Sequence, residues 1–453
     1  MHKSLLFTTI VFFAFISTSR SQSLFDMASS TGGISFGGFT RSGIYLNAPD
    51  QEIAVPVSFA DMSLNAEVGN SVNYAAFIDL RYRYGKEYGN KINNLNLREA
   101  WAAWYTPITE LKAGKQIISW SRMDIFNIQD IINPVNDLYS SFDPSDRKIA
   151  NISINMKINP APFISLQAVL IPVYKPSVLY TDFMDIPSSV KIENIPDNKY
   201  NSVSYGLRTD LNLRNLSAGF SFYDGYNLLP GIGLDSVRIQ QGSESPVLLL
   251  EEKTFNIMTI SADLELILGN NIVRAEALWT KPDENHTKKE YIIFPEVKWA
   301  AGLERQFGDM QVILEYSGKY IIDFVKPGFD PVLPDESSFA QLGMLPPDQL
   351  FEVLKEQIGS FNRLYKYQLE EMNHFAGLSM VYQNINSLIE PSLSIVYNIS
   401  AEEILISPRI KIEPADNIDL IIGVELFKGS ENSLFEMIND QLNTAFAGIR
   451  VDF

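Results

Sequence analysis

Beyond the first residues the chain holds two histidines, and neither is set among partners that would make it reactive. His286 lies in the polar run Glu284-Asn285-His286-Thr287, and His374 opens an alternating segment. A barrel hydrolase would need a Ser, a His and an acid or amide projecting at one height, and nothing adjacent suggests that. Cysteine is absent, which removes disulfides, thiolate metal sites and cysteine nucleophiles. No glycine-rich loop runs from a strand into a helix as a phosphate cradle would. No enzymatic activity, metal or cofactor is expected.

The charges are more informative. Arg81, Arg83, Lys157, Arg208, Arg274, Lys298, Lys319, Arg409, Lys411 and Arg450 fall on the polar faces of alternating segments. Asp79, Asp210, Glu276, Glu304, Glu315, Glu413, Asp419, Glu425 and Asp452 fall there too. The signs nearly balance, so strong ion selectivity is not predicted. Neighbours such as Arg409, Lys411 and Glu413 read first as pairs across a wall and second as pore lining. The chain carries 54 acidic and 36 basic residues, so most of the excess must sit on loops. Those are Asp182 to Asp197, Asp235 to Glu252 and Asp330 to Glu336, which could hold divalent cations at a lipopolysaccharide surface or keep the chain soluble during export. Net −18 also argues against a duplex nucleic-acid reader, which needs clustered Lys and Arg.

The elements that position these charges alternate with period two. Tyr74, Ala76, Ile78, Leu80, Tyr82 and Tyr84 interleave with Asn73, Phe77, Asp79, Arg81 and Arg83, and the same pattern recurs at 151–158, 203–213 and 418–426. A soluble sandwich and a membrane barrel share this periodicity; connection lengths separate them. Strands are expected near 33–46, 58–68, 72–85, 94–106, 110–122, 147–159, 162–173, 201–213, 216–226, 254–267, 271–281, 291–306, 309–320, 372–385, 388–400, 403–414, 417–428 and 442–453. Short turns alternate with long connections at 123–146, 174–200, 227–253, 321–371 and 429–441. That parity belongs to a transmembrane antiparallel β-barrel of about 18 strands, or 16 or 20 with one pair miscounted, whose termini share the periplasmic side.

All five tryptophans (Trp101, Trp104, Trp120, Trp279 and Trp299) fall on expected strands, and Tyr82, Tyr84, Tyr105 and Tyr320 sit near strand ends, where an interfacial girdle would lie. Within 321–371, Phe351, Leu354, Ile358, Phe361 and Tyr365 recur at helical spacing after Pro346-Pro347-Asp348. That helix either enters the pore or lies over it.

The termini agree. Residues 1–21 read as a signal peptide, with Lys3, an apolar Leu5 to Ile16 and small residues before a cut after Ser21 or Ser23. Residues 22–453 would form the barrel. At the other end Ala445, Ala447, Ile449, Val451 and Phe453 share one face, resembling the terminal strand by which outer-membrane barrels are recognised by their assembly machinery.

The strongest local signal runs from Leu111 to Leu138. Lys115 and Gln116 cannot both face lipid, which predicts a bulge or an inward-folded loop, and Asn133-Pro134 and Asn136-Asp137 read as consecutive turns. The stretch resembles the Gly-Arg-Gln…Trp-Gly…Asn-Pro segment of a large, poorly characterised family of Gram-negative porin-like barrels, distantly similar to alginate-export barrels. Lys115 stands where that family has Arg, and Ser121 where it has Gly. Tyr223-Asp224-Gly225-Tyr226 before Pro230, and Glu403 to Pro408, are similar to its later segments. The resemblance implies a barrel and transport, and in some members association with resistance-nodulation-division type exporters.

The expectation is an outer-membrane channel for passive passage of small solutes or one ligand class. The alternative is a carrier of lipids or other hydrophobic molecules working with an inner-membrane exporter. Its partners would be outer-membrane lipid, lipopolysaccharide and the assembly machinery, and not nucleic acid. Expected pore-lining or constriction residues are Arg81, Arg83, Lys115, Arg122, Asp124, Asn133, Arg208, Arg274, Glu276, Arg409 and Lys411.

Overall fold

The structure is a computed structural model that describes residues 33–48, 52–69, 73–179, 186, 190–193, 195, 203–239, 246–284, 286, 288–331, 333, 342, 344–384 and 388–453. The expected leader, the Asn70 turn, the 385–387 turn, and much of the acidic stretches 182–197 and 330–336 lie outside the described residues, as do 240–245.

In chain order the elements are β1 (Ile34–Asn47), β2 (Ala54–Gly69), β3 (Tyr74–Glu87), β4 (Asn90–Tyr105), β5 (Thr109–Gln116), β6 (Asn151–Ala161), β7 (Ile164–Ile171), β8 (Val190–Glu193), β9 (Ser204–Asn212) and β10 (Leu216–Tyr226). They continue with β11 (Gly231–Ile239), β12 (Pro246–Lys253), β13 (Asn256–Leu268), β14 (Asn271–Pro282), β15 (Glu296–Phe307), β16 (Met310–Ile321) and α1 (Pro347–Tyr365). The chain ends with β17 (Met372–Tyr382), β18 (Ile389–Asn398), β19 (Glu403–Ala415), β20 (Ile418–Lys428), α2 (Leu434–Leu442) and β21 (Thr444–Asp452).

Every strand except β8, β11 and β12 belongs to one 18-stranded antiparallel sheet. It closes where β1 meets β21, in register from Phe39 opposite Asp452 to Leu46 opposite Ala445. Backbone bonds between Gly38 and Phe453 complete that seam, so the last residue finishes the wall. Closure leaves no open sheet edge, the condition for crossing a bilayer with strands. The apolar face of the alternation points outward: Ile78, Leu80, Ile154, Leu207, Phe220, Ile260, Leu314 and Ile422 are exposed there. The polar face is buried on Arg41, Asp61, Arg81, Arg208, Asp263 and Glu276, an inverted distribution that fits lipid outside and polar groups within. Tight turns such as Leu268-Gly269-Asn270 and Phe307-Gly308-Asp309 need the left-handed φ that Gly269 and Gly308 adopt.

Three local expectations are corrected. The strand expected over 110–122 ends at Gln116, because the amides of Ile117 and Ile118 turn inward to Glu99 (2.7 Å) and Asn133 (2.7 Å). Trp120 therefore sits in the inward loop rather than on the wall. The long loops also carry structure that alternation did not announce: β8, β11 and β12 form a separate sheet, and α2 occupies 434–442. Among the external connections, those at 88–89 and 399–402 are short, because a two- or four-residue turn suffices there.

α1 covers the span its periodicity predicts and lies over the barrel rather than on the lumen wall. Leu354, Ile358, Phe361 and Leu364 pack against Ile232, Leu234, Leu248 and Leu250 of the external sheet and against Leu434 and Ile438 of α2. Leu248, Leu250, Leu354 and Ile358 are fully buried. Tyr88 and Leu138 join the same cluster from other loops, so it gathers chain from around the rim into one apolar roof.

Candidate functional site: the lumen and its inward loop

Residues 117–150 leave the wall after β5 and fold into the barrel, where two arms engage opposite walls. Asn133 braces the base: its Oδ1 accepts from Ile118, and its amide donates to the carbonyls of Gln116 (3.2 Å) and Ile149 (2.9 Å).

The first arm lies along β7 to β17. The Trp120 indole donates to Gln167 (3.1 Å), and its ring occupies the space a side chain at Gly206 would need. Two carboxylates then grip the backbone. Glu276 on β14 accepts from the Ser121 hydroxyl (2.9 Å) and the Arg122 amide. Glu315 on β16 accepts from the amides of Asp124 (2.8 Å), Ile125 (3.0 Å) and Phe126 (2.8 Å). Charge-assisted bonds of this kind are about twice as strong as neutral ones. The Arg122 guanidinium pairs with Asp263 and with Asp210 (2.9 Å), and Arg208 shares both acids. Asp124 pairs with Arg274 (2.8 Å), which also holds Glu265 (2.9 Å) and Glu304 (2.8 Å).

The second arm lies against β1 to β4 and β21. Asp146 bonds Arg41 (2.6 Å) and Arg81 (2.6 Å), with Arg98 at 3.7 Å. Burial alone would raise the Asp146 carboxyl, but the Arg41 and Arg81 guanidiniums override it and hold it well below the usual carboxylate range. Arg41 also reaches Asp61 (2.8 Å), and Arg83 donates to the carbonyl of Ser140 (2.9 Å). Phe142 stacks on Tyr45 (centroids 6.0 Å apart) between Phe59 and Phe446. A Cβ at Gly43 or Gly448 would collide with its ring. Inward-facing glycines at 206, 377, 43 and 448 thus serve as sockets for Trp120, Ile125 with Phe126, and Phe142.

The inward face of β16 to β19 is different. Gly377 receives Ile125 and Phe126 at its upper part, yet Ser379, Val381, Ser392, Ser394, Val396 and Leu405 stay half-exposed. Arg409, in register opposite Ser392, pairs with Glu425 (2.7 Å), and Lys411 pairs with Glu413 (2.6 Å) past that stretch.

Of the residues expected from sequence, Arg81, Arg83, Arg122, Asp124, Asn133, Arg208, Arg274 and Glu276 meet the inward loop or belong to it. Arg409 touches the loop through the Phe142 carbonyl (3.4 Å), whereas the Lys411 amine bonds Glu413 on its own strand. Lys115 is a correction. It pairs in register with Ile152, which is exposed on the outer face, and its amine turns back to the Leu97 carbonyl. Gln116 takes the inward position instead, donating to the Ser153 carbonyl (3.1 Å). Sequence reading passed over Arg41, Asp61, Asp146 and Phe142. Asp61 does alternate with the apolar Ala60 and Met62 on β2, so its inward face was open to the same rule, whereas Arg41 lies between Thr40 and Ser42 on β1. The two histidines stand apart from this network: the His374 ring bonds the Tyr316 hydroxyl (2.7 Å), and His286 packs on Phe294.

At the rim, Asn362 of α1 exchanges bonds with both backbone groups of Ile232 (2.7 Å each), pinning the helix to β11. Glu403 accepts from the Phe435 amide (2.9 Å) at the start of α2. Behind α1, Lys366 is buried over the Phe255 ring and donates to the Tyr291 carbonyl (3.3 Å). Burial drives its ammonium down to about 7, against the opposing pull of Glu296.

No protein-family profile and no curated protein matches this sequence. Solved structures do match its shape. The fold is that of Gram-negative outer-membrane porins. OccAB3 of Acinetobacter baumannii superposes with a TM-score of 0.53 at 8% identity, over 93% of this chain and 99% of that one. A BenF-like porin from Pseudomonas fluorescens gives 0.52 at 8% identity, over 93% and 98%. OccK2 of Pseudomonas aeruginosa, solved with glucuronate, gives 0.51 at 8% identity, over 93% and 97%. These neighbours are channels rather than enzymes, and the likeness is one of architecture.

Proposed function

We propose that this protein is an outer-membrane channel for passive passage of small solutes, described in a conformation whose external mouth is roofed. The observation that carries the reading is the unfilled wall: a barrel of 18 strands is wide enough for an aqueous channel, and the inward loop leaves much of the β17 to β19 face half-exposed. A purely structural barrel would have that face covered as the β1 to β4 face is. The inward loop is a fixed constriction, because its contacts are buried ion pairs and carboxylate-bound amides. The roof is the movable part, because its contacts are mainly apolar side chains carried on long loops.

The narrower points belong to the same proposal. Residues 1–21 act as the export signal, the strand ending in Phe453 is what the assembly machinery reads, and lipid with lipopolysaccharide surrounds the barrel. Kinship with the porin-like family resembled at Leu111 to Leu138, and work alongside an inner-membrane exporter, extend it further. No catalytic role is assigned.

Liposome swelling with a small neutral sugar tests the reading on folded, full-length protein. Slow swelling that accelerates several-fold when 321–371 is shortened supports a roofed channel. No swelling in either form, with the barrel shown to be folded, overturns it.

A further inference from the structure

The proposed passage has a wall of distinctive chemistry. In one register row Ile313 stands opposite Ser379, Ser379 opposite Ser394, and Ser394 opposite Ser407, across β16, β17, β18 and β19. The row above it runs from Glu315 to Gly377, Val396 and Leu405; the row below places Val381 opposite Ser392 and Ser392 opposite Arg409. All these side chains share the inward face with Gly377, which abuts Ile125 and Phe126 of the inward loop. Ser407 accepts from the Arg409 Nε (3.2 Å), whereas the hydroxyls of Ser379, Ser392 and Ser394 have no hydrogen-bond partner among the described residues. Directly opposed positions on neighbouring strands lie roughly 5 Å apart, comparable with alternate hydroxyls around a pyranose ring.

Resting on the channel reading, we propose that this wall is the solute path, and that it selects uncharged hydroxyl-bearing solutes of about monosaccharide size. Each free serine hydroxyl can donate and accept, so a neutral polyol exchanges its water for serine partners as it moves along the row. Val381, Val396 and Leu405 give its C–H faces an apolar surface. The charges bordering these rows are already engaged, Arg409 opposite Ser392 by Glu425 and Glu315 opposite Gly377 by three loop amides, so a charged solute would lose hydration without replacement. Both carboxylates and ammonium compounds are therefore disfavoured.

Two measurements on the full-length protein test this. First, single cysteines replace Ser379, Ser394 and, as a buried control, Ser153, in a chain with no native cysteine. Cysteines at 379 and 394 should react with small neutral methanethiosulfonate at least tenfold faster than the one at 153. Equal rates would place the path elsewhere. Second, swelling is compared for glucose, its uronate and its 2-amino analogue in liposomes holding the roof-shortened form. Glucose should enter several-fold faster than both ions, and attaching a sulfonatoethyl group to Cys at 394 in folded protein should slow it several-fold. A faster uronate, or glucose entry indifferent to the attached charge, overturns the selectivity while leaving a channel in place. No entry by any sugar sinks the channel reading itself.

Discussion

The lumen has two unlike sides. Along β1 to β4 the wall meets the inward loop through Arg41, Asp61, Arg81 and Asp146, all buried. Along β17 to β19 the inward positions are mainly glycine, serine, valine and leucine, and the loop meets them only at Gly377 and through Arg409. Charges paired in a low-dielectric setting fix a segment in place, because freeing it would strand each partner. Small neutral side chains demand no partner and leave room. One side of the barrel therefore holds the constriction, and the other leaves a way past it.

Removing a charge from the fixed side should give the largest effect. Asp146→Asn leaves Arg41 to Asp61 alone and Arg81 to Asp79 alone, at a cost approaching the roughly 3–5 kcal/mol of a broken buried pair; residues 117–150 should become susceptible to limited proteolysis while the barrel persists. Retained protection would mean the ion pairs do not seat the loop. Glu315→Gln weakens the hold on three consecutive amides, with an expected loss of about 1.5–3 kcal/mol. It should raise hydrogen exchange at 124–126 without changing exchange near Asp146. Gly448→Val forces a side chain against Phe142, an overpacking cost of about 1–3 kcal/mol. Adding Phe142→Ala should relieve part of that cost in thermal melts, and strict additivity would show that the ring does not use this socket.

The smallest effect separates roof from constriction. A buried lysine near pKa 7 carries a protonation penalty that is complete below that pH and disappears as pH rises toward its ordinary value. The α1 loop should therefore seat progressively more weakly as pH falls from the ordinary lysine range toward about 7, with no further change below it, seen as faster proteolysis within 344–371 at neutral pH than in mild alkali. Lys366→Met should flatten that dependence. The Asp146 contacts run the other way: they persist through neutral pH and weaken only in strong acid, as the depressed carboxyl finally protonates.

Alternation made the wall legible strand by strand, because a strand with lipid on one side and polar groups on the other leaves little freedom in its pattern. The eighteen expected strands correspond to the eighteen of the barrel, and α1 follows its helical spacing. The inward loop resisted the same reading. Its contacts join residues far apart in the chain, such as Asp124 to Glu315 and Arg409 to Phe142, and no local period encodes such pairings. Lys115 shows the cost of reading charge alone: the register opposite Ile152 decides its direction, and a long amine can turn back to a carbonyl from the outer face. The hydroxyl row at Ser379, Ser394 and Ser407 was written in the alternation but carried no charge to draw notice.

Single-channel recording of purified protein in a planar bilayer tests the division into fixed constriction and movable roof most directly. Shortening 321–371 should turn rare openings into steady conductance of modest size, set by the remaining constriction, and adding Asp146→Asn should enlarge it. A shortened, folded protein that stays silent, or one whose conductance is unmoved by Asp146→Asn, would contradict the account.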